Sequence, residues 1–336
     1  MVGKKRVLVA VYPEGKRFVA HVPRLEAAGL EVISNPHPRS YTEAELCAAL
    51  QGVFAVIAGG EPYTEQVFTA ATDLRLIARW GVGYDQVDVE AATRHGVTVA
   101  MAFGGNHDSV ADWTLVMMGA LAEKLLPHND RVKRGEWAIE EHRGLWRATV
   151  GIIGLGRIGK AVARRCRGFE MRLLAHEVYP DLAFGRDNAV TYVPLETLLR
   201  DADFVTLHAP HSPETAHLIN RDRLALMKPT AFLINTSRGA LVDEAALYEA
   251  LVSGKIAGAG LDVFQHEPPT GSPLLALPNV LATPHIGGSD LAAQDAIAEL
   301  CLQSVLAMAH GKSPGMAYLL NPEVLCQRQP DHSTTH

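Results

Sequence analysis

The chain has 336 residues, enough for two domains of roughly 150 residues each. A composition of 48% hydrophobic and 20% charged residues is that of an ordinary globular protein, and a net charge of −6 leaves no basic face for a nucleic acid. The four cysteines, Cys47, Cys166, Cys301 and Cys326, lie far apart with no CxxC spacing, which speaks against a disulfide or zinc framework and fits a reducing cytoplasm.

The first hundred residues alternate strand and helix patterns. Apolar runs predict strands over 6–11, 30–33, 53–57, 74–78 and 97–100, with helices over 18–28, 42–50 and 64–71 between them. Thr42 followed by Glu45 has the spacing of a capping box. Alternation of this kind implies a parallel sheet covered on both faces. The basic tripeptide near the start precedes an apolar run too short for a signal peptide, and no window approaches the length of a membrane span. Residues 79–85, RWGVGYD, close a strand with two glycines at the edge where open α/β sheets bind ligands, although a plain turn has the same pattern. After Gly104-Gly105-Asn106 a long helix is expected over 110–126, ended by Pro127. Its apolar residues run nearly all round, the mark of a buried helix that crosses between domains or packs on a second subunit. Residues 128–147, with Trp137 and Trp146, read as a polar surface excursion.

The stretch 149–177, TVGIIGLGRIGKAVARRCRGFEMRLLAHE, organises the rest. An apolar strand runs into Gly154-Leu155-Gly156-Arg157-Ile158-Gly159, then a helix, a second apolar run and an acid, Glu177. Gly154 permits a sharp turn, Gly156 lets a pyrophosphate approach the backbone, and Gly159 lets the helix pack close to the sheet. The helix N-terminus offers N–H groups to phosphates. A carboxylate at Glu177 would accept bonds from the ribose hydroxyls and repel a 2′-phosphate, which favours NAD over NADP.

Strands are then expected over 191–193, 204–208, 231–235, 257–264 and 280–283, with helices over 195–200, 221–227 and 243–253. Together these complete a doubly wound nucleotide domain over residues 102–287, leaving 1–101 and 288–336 for a second domain. The last helix, 291–309, carries Ile297, Cys301, Val305 and Met308 on one stripe and stops at Gly311, and the polar tail after Leu325 is expected to be disordered. Three late strand ends carry reactive groups: Arg238, Glu267 and His285. An arginine can clamp a carboxylate bidentately, and a carboxylate beside a histidine keeps it protonated. Taken singly, each has a bland alternative: a surface ion pair, a turn carboxylate, a loop histidine. His208, His211 and His217 cluster without metal-ligand spacing, so no metal is expected.

The motifs RWGVGYDQVD, NHDSVAD, VGIIGLGRIG, HAPHSPETAHLI, NTSRGALVDEAAL, GLDVFQHEP and TPHIGG occur in order. With them the chain resembles the D-isomer-specific 2-hydroxyacid dehydrogenases, in particular their phosphoglycerate-dehydrogenase-like branch. The resemblance implies an α/β architecture of two doubly wound parallel-sheet domains, a Rossmann NAD domain inserted into a flavodoxin-like substrate domain built from both chain ends. It implies that Arg238 holds the substrate carboxylate and 2-oxo group, that His285 exchanges the proton and that Glu267 orients and charges His285. It also implies that Val82, Gly83 and Asn106 help hold the substrate. Along the cofactor it places Gly154, Gly156, Arg157, Ile158, Gly159, Glu177, Pro210, Thr215, Thr236, Ser237, Arg238, Asp262, His285 and Gly287, with Thr236 and Asp262 toward the nicotinamide. The same resemblance implies a homodimer joined through the helix at 110–126, and the charge and the want of a spanning window leave no nucleic-acid or membrane partner expected.

The chain departs from that family in places. Asp112 stands where the family often has Glu, and Trp146-Arg147 replaces a usual glycine before the fingerprint strand. The arginines of true phosphoglycerate enzymes are replaced by Ala58-Gly59-Gly60-Glu61, where a phosphate would find no cation. A small unphosphorylated 2-hydroxy or 2-oxo acid, of the glyoxylate or hydroxypyruvate kind, is therefore the expected substrate. D-3-phosphoglycerate is the alternative substrate. A non-catalytic NAD(H)-sensing corepressor-like protein is the alternative from another class. A formate-type dehydrogenase fits less, since those resemble a pattern with an amide at the Glu267 position.

Overall fold

The structure, a computed structural model, describes residues 4–12 and 15–327. The expected disorder of the tail, residues 328–336, lies outside the described residues, as do the side chains of Cys326 and Gln327. The chain divides into two compact units, one from the residues up to Asn106 and from Leu291 onward, the other His107–Asp290.

The first unit is built on five parallel strands: β1 (Arg6–Val9), β2 (Glu31–Ser34), β3 (Val53–Ala58), β4 (Leu76–Arg79) and β5 (Thr98–Met101). They lie in the order β2-β1-β3-β4-β5. Side chains alternate across a strand, and this sheet sorts them strictly. Val7, Val9, Ala55, Ile57, Leu76 and Ala78 face one apolar cluster, and Leu8, Val56, Ala58 and Ile77 face the other. Helices α1 (Gly15–Phe18), α2 (Val22–Ala27), α3 (Glu43–Ala49), α4 (Glu65–Ala70) and α5 (Val89–Arg94) connect them. The capping box of α3 is formed, with the Thr42 hydroxyl accepting from the Glu45 N–H and the Glu45 carboxylate from the Thr42 N–H. The helix expected over 18–28 is instead α1, a 3-10 turn at Val19–His21, and α2. Pro23 stands in the first turn of α2, where a missing N–H costs nothing.

The second unit holds α6 (His107–Ala122), α7 (Leu125–Lys133), β6 (Thr149–Ile153), α8 (Arg157–Arg167), β7 (Arg172–His176), α9 (Leu182–Asn188), β8 (Val190–Tyr192), α10 (Leu195–Asp201), β9 (Phe204–Leu207), α11 (Arg221–Leu226), β10 (Phe232–Asn235), α12 (Glu244–Val252), β11 (Gly258–Leu261) and β12 (Val280–Ala282). Its seven strands are all parallel, in the order β12-β11-β10-β9-β6-β7-β8. The chain leaves β6 on one side for β7 and returns on the other for β9, so the topological switch lies between β6 and β9.

Pro127 does not end the helix expected over 110–126. The break comes earlier, at Lys124 in the left-handed region (φ 49°), and Pro127 sits inside the first turn of α7. The first four N–H groups of a helix have no partner within it, so proline there removes nothing. Nor is α6 buried all round: Met117 and Met118 are inside, whereas Val116 is 57% exposed. Helices α5 and α9 went unpredicted because each is short and weakly periodic.

Two helices close the first unit, α13 (Leu291–Ala309) and α14 (Glu323–Gln327). By length and composition α13 could cross a membrane, which corrects the expectation that no window approaches a span. Ile297, Cys301, Val305 and Met308 are buried in the core of the first unit, the place of a core helix. Its end is sealed at Gly311 (φ 72°), whose N–H donates to Met308 O. Asn321, fully buried, then fastens the returning chain to β5. It accepts from the Val99 N–H (2.8 Å) and donates to Val97 O (2.8 Å) and Thr93 Oγ1 (3.0 Å). Removing a buried polar group leaves its partners unpaired at about 1–3 kcal/mol. Asn321→Ala should therefore lower the urea unfolding stability by about that amount, and an unchanged midpoint would contradict the role of this clasp.

Candidate active site

The glycine turn at the switch point forms because three backbones approach too closely for side chains. Gly154 turns out of β6 at φ 90°, and a Cβ there would lie 2.6 Å from Ala209 N. A Cβ at Gly159 would lie 2.2 Å from Gly154 O, so α8 can start here only on glycine. Gly156, in contrast, has open space around it. This is a cradle of the shape a pyrophosphate needs, at the N-terminus of an eleven-residue helix that opens with Arg157 and Ile158. Glu177 follows β7 and reaches back to the turn. Its Oε2 accepts from the Leu155 N–H (2.6 Å) and its Oε1 from the Tyr179 N–H (3.2 Å). Each oxygen keeps a second lone pair for a ribose hydroxyl.

Across the switch, the loop after β9 is held by Thr215, whose hydroxyl donates to Pro210 O (2.8 Å). The Ser237 hydroxyl donates to Ala209 O (2.6 Å), tying the end of β10 to that loop. Thr236 shares a hydrogen bond with Thr114 of α6 (3.0 Å). The sequence reading missed Thr114, because a mid-helix threonine carries no motif. His208 follows β9 directly, and no metal-holding group of His, Cys, Asp or Glu occurs among the described residues. Its Nε2 lies 2.9 Å from Thr206 Oγ1, and burial pushes its imidazole down to about 3, so it is neutral.

Arg238, Glu267 and His285 come from the ends of β10, β11 and β12 and meet on one edge. Gly239 makes this possible: a Cβ there would sit 1.9 Å from the Phe264 carbonyl carbon, so the backbone after Arg238 lies against the chain leading to Glu267. Asp262, almost fully buried, arranges the other side. Its Oδ1 accepts from Thr283 Oγ1 (2.5 Å) and the Ile286 N–H (3.0 Å), and its Oδ2 from the Gly287 N–H (2.8 Å). With the His285 N–H donating to Asp262 O (2.8 Å), this holds His285 in the left-handed region (φ 55°). Trp113 and Ser109 of α6 brace the same loop, the latter donating to Gly287 O (2.8 Å). The sequence reading missed both.

His285 Nδ1 lies 2.8 Å from Glu267 Oε2, while Glu267 Oε1 accepts from the Phe264 N–H (3.0 Å). That hydrogen bond lifts the imidazole above its ordinary value against desolvation, and the nearby Arg238 charge opposes it. Burial pushes the Glu267 carboxyl up, but His285, the Phe264 N–H and Arg238 together hold it below its ordinary value. The pair therefore presents a proton on the outer nitrogen, Nε2, beside a fixed cation. Such a set can bind a carboxylate and pass one proton. Of the remaining expected residues, Val82 and Gly83 follow β4 and Asn106 ends the first segment, all in the first unit. The Asn106 side-chain oxygen is buried with no hydrogen bond among the described residues. Asp112 pairs with Arg165, joining α6 to α8. Arg147 takes φ 57°, the conformation glycine prefers.

A dinucleotide cradle beside an arginine, a carboxylate and a histidine defines a nucleotide-dependent oxidoreductase. The model of the family "D-isomer specific 2-hydroxyacid dehydrogenase, NAD binding domain" matches residues 115–287. The chain is 41% identical over 277 residues to a glyoxylate reductase of Korarchaeum cryptofilum, covering 80% of this chain and 83% of that protein. It is also 41% identical to a D-3-phosphoglycerate dehydrogenase of Methanocaldococcus jannaschii, over 76% of this chain but only 50% of that protein. Among solved structures, a D-lactate dehydrogenase from Aquifex aeolicus complexed with NAD and lactic acid superposes with a TM-score of 0.82 at 28% identity, covering 94% of this chain and 99% of that one. This chain belongs to the D-isomer-specific 2-hydroxyacid dehydrogenase family and is an NAD-dependent oxidoreductase.

The placement of Glu177 makes cofactor choice testable. Glu177→Ala should weaken the preference for NADH over NADPH, measured as the ratio of kcat/KM values. A wild type that already prefers NADPH would contradict the part given to this carboxylate.

Proposed function

We propose that this protein reduces small unphosphorylated 2-oxo acids, glyoxylate and hydroxypyruvate foremost, to the corresponding 2-hydroxy acids, and runs the reverse reaction. The observation that carries the reading is the His285–Glu267 contact of 2.8 Å with the Arg238 charge acting on both partners. NADH, when bound, supplies a hydride from nicotinamide C4 to the substrate C2. Arg238 holds the substrate carboxylate and 2-oxo oxygen. His285 gives its Nε2 proton to that oxygen, which becomes the hydroxyl, and takes it back in oxidation. Glu267 is the positioning residue that keeps Nδ1 engaged and the ring charged. Val82, Gly83 and Asn106 keep the substrate-holding role that the family resemblance gives them. A pure NAD(H) sensor would have no use for a charged His–Glu pair beside an arginine.

The defining assay is NADH oxidation against glyoxylate, hydroxypyruvate, pyruvate, a bulky aromatic 2-oxo acid and phosphohydroxypyruvate. His285→Ala should cost about 10²–10⁴-fold in kcat, the usual contribution of one positioned proton donor. No wild-type turnover on any of these acids, with NADH still bound, would favour the sensor. Reduction requires protonated His285, so its rate falls as pH rises through the histidine pKa. Glu267 raises that pKa, and Glu267→Gln should therefore move the alkaline limb to lower pH. An unshifted limb would remove Glu267 from this role.

A homodimer joined through the second unit completes the proposal. Val116, Trp146 and Phe169 are exposed and line a groove of about 510 Å³ with Leu115, Gly119 and Leu145, and Leu126 at the start of the next helix, α7, is exposed as well. Contiguous exposed apolar surface of this kind marks an interface. Among the described residues Cys47, Cys166 and Cys301 are free thiols, which supports a reducing, cytoplasmic setting. Sedimentation should give a dimer that Val116→Asp with Leu126→Asp converts to a monomer; a monomeric wild type would refute it.

A further inference from the structure

Beside the glycine turn stands a cation that none of the roles above uses, and it is already engaged. Lys160 lies in the first turn of α8, where its N–H donates to Gly156 O (2.9 Å), so its side chain leaves the helix one turn along from the cradle. Its Nζ donates to Asp181 Oδ2 at 2.6 Å and lies 5.2 Å from the centroid of the Phe184 ring. All of these residues belong to the second unit.

Asp181 is fixed where it meets the lysine. It is the N-cap of α9, its Oδ1 accepting from the Phe184 N–H (3.0 Å). Its carbonyl accepts from the Tyr192 hydroxyl at 2.8 Å. The Tyr192 ring is seated against α9 at Gly185, where a Cβ would lie 2.7 Å from Cε2. The Lys160 ammonium, and after it the Phe184 N–H, hold the Asp181 carboxyl below its ordinary value, so it is ionised at neutral pH. Glu177 begins the same short loop that Asp181 ends, tied to the turn by the Leu155 N–H. Both charges reach the Tyr192 hydroxyl, whose ionisation is opposed first by burial, then by Asp181 and then by Glu177. Val178 and Tyr179 between them are exposed. The Lys160 and Asp181 side chains keep 29% and 44% of their surface, so a ligand can reach the pair.

A ribose held at Glu177 presents its 2′ position to this loop. A phosphate there needs a cation, because charge-assisted bonds are the strong ones. We infer that Lys160 is a latent site for the 2′-phosphate of NADP and that Asp181 keeps it closed. Cofactor choice is then set by two carboxylates that act differently. Glu177 repels the phosphate directly, and Asp181 withholds the cation that would bind it. This goes beyond the reductase reading and rests on the placement of the adenosine ribose at Glu177.

The test is calorimetric titration of the full chain with two probes that carry only the adenosine end, 5′-AMP and adenosine 2′,5′-bisphosphate. Turnover does not enter. Asp181→Asn drops the charge but keeps a good N-cap, and exposed ion pairs contribute little to stability, so the fold should stand. This variant should tighten the bisphosphate relative to AMP by about 10-fold, the worth of one hydrogen bond to a charged group. The gain should vanish when Lys160→Ala is added. A gain of the same size with and without Lys160→Ala would mean relief of repulsion alone and would sink the inference. So would a ratio within about twofold of wild type in Asp181→Asn, or a wild type that binds the bisphosphate as tightly as AMP. Asp181→Ser, also a capping residue, takes over should the asparagine variant misfold. Failure of the ribose placement looks different. AMP that does not bind, or that binds Glu177→Ala as it binds the wild type, removes the ribose from Glu177 and this inference with it.

Discussion

Parallel strands with helical crossovers send every strand's carboxyl end to the same edge of a sheet, and the chemistry of this chain depends on that constraint. In the second unit, β6, β9, β10, β11 and β12 each end in a loop carrying one part of the candidate site: the glycine turn, His208 to Pro210, Arg238, Glu267 and His285. Residues spread over more than a hundred positions become neighbours without any long-range contact designed for each pair. The price is crowding at the edge, and glycine relieves it. Gly154 and Gly239 stand where a single Cβ would collide with a neighbouring backbone.

Within that edge, the acid–base pair is set by a hierarchy of hydrogen bonds. Asp262 collects two backbone N–H groups and a hydroxyl from the Thr283–Gly287 loop, which fixes where His285 begins. Glu267 then fixes which way the ring faces, and its charge decides how long the ring keeps its proton. Arg238 opposes the rise in the histidine pKa. A bound substrate carboxylate would offset that cation, so the proton should be held more firmly once substrate has arrived. This order suits reduction, where the donor must stay charged until hydride moves.

Much of this was legible in the residues because the signals are local. The strand–turn–helix around Gly154 to Gly159 depends on neighbours in sequence, and so does the Thr42–Glu45 cap, which forms as its spacing requires. Alternation of Val7, Leu8 and Val9 across β1 follows from the pleat alone. Other features were illegible for equally physical reasons. Pro127 looked like a stop, but its effect depends on whether the helix begins before or after it, and the left-handed Lys124 had already broken the chain. Nothing in the sequence around Thr114, Ser109 or Trp113 announces contact with loops more than a hundred residues away.

The sequence by itself determined the alternation of strands and helices, the glycine turn after β6 and the side-chain chemistry of the candidate site. These rest on backbone conformation and side-chain chemistry that act over a few residues. Only the tertiary structure decided that Arg238, Glu267 and His285 share one edge, and that Asp262 spends its oxygens on the histidine loop. It alone decided that Asn321 binds the chain's return to β5 and that Lys160 meets Asp181. Those outcomes depend on which strand ends lie side by side, and strand order is a property of the packed sheet.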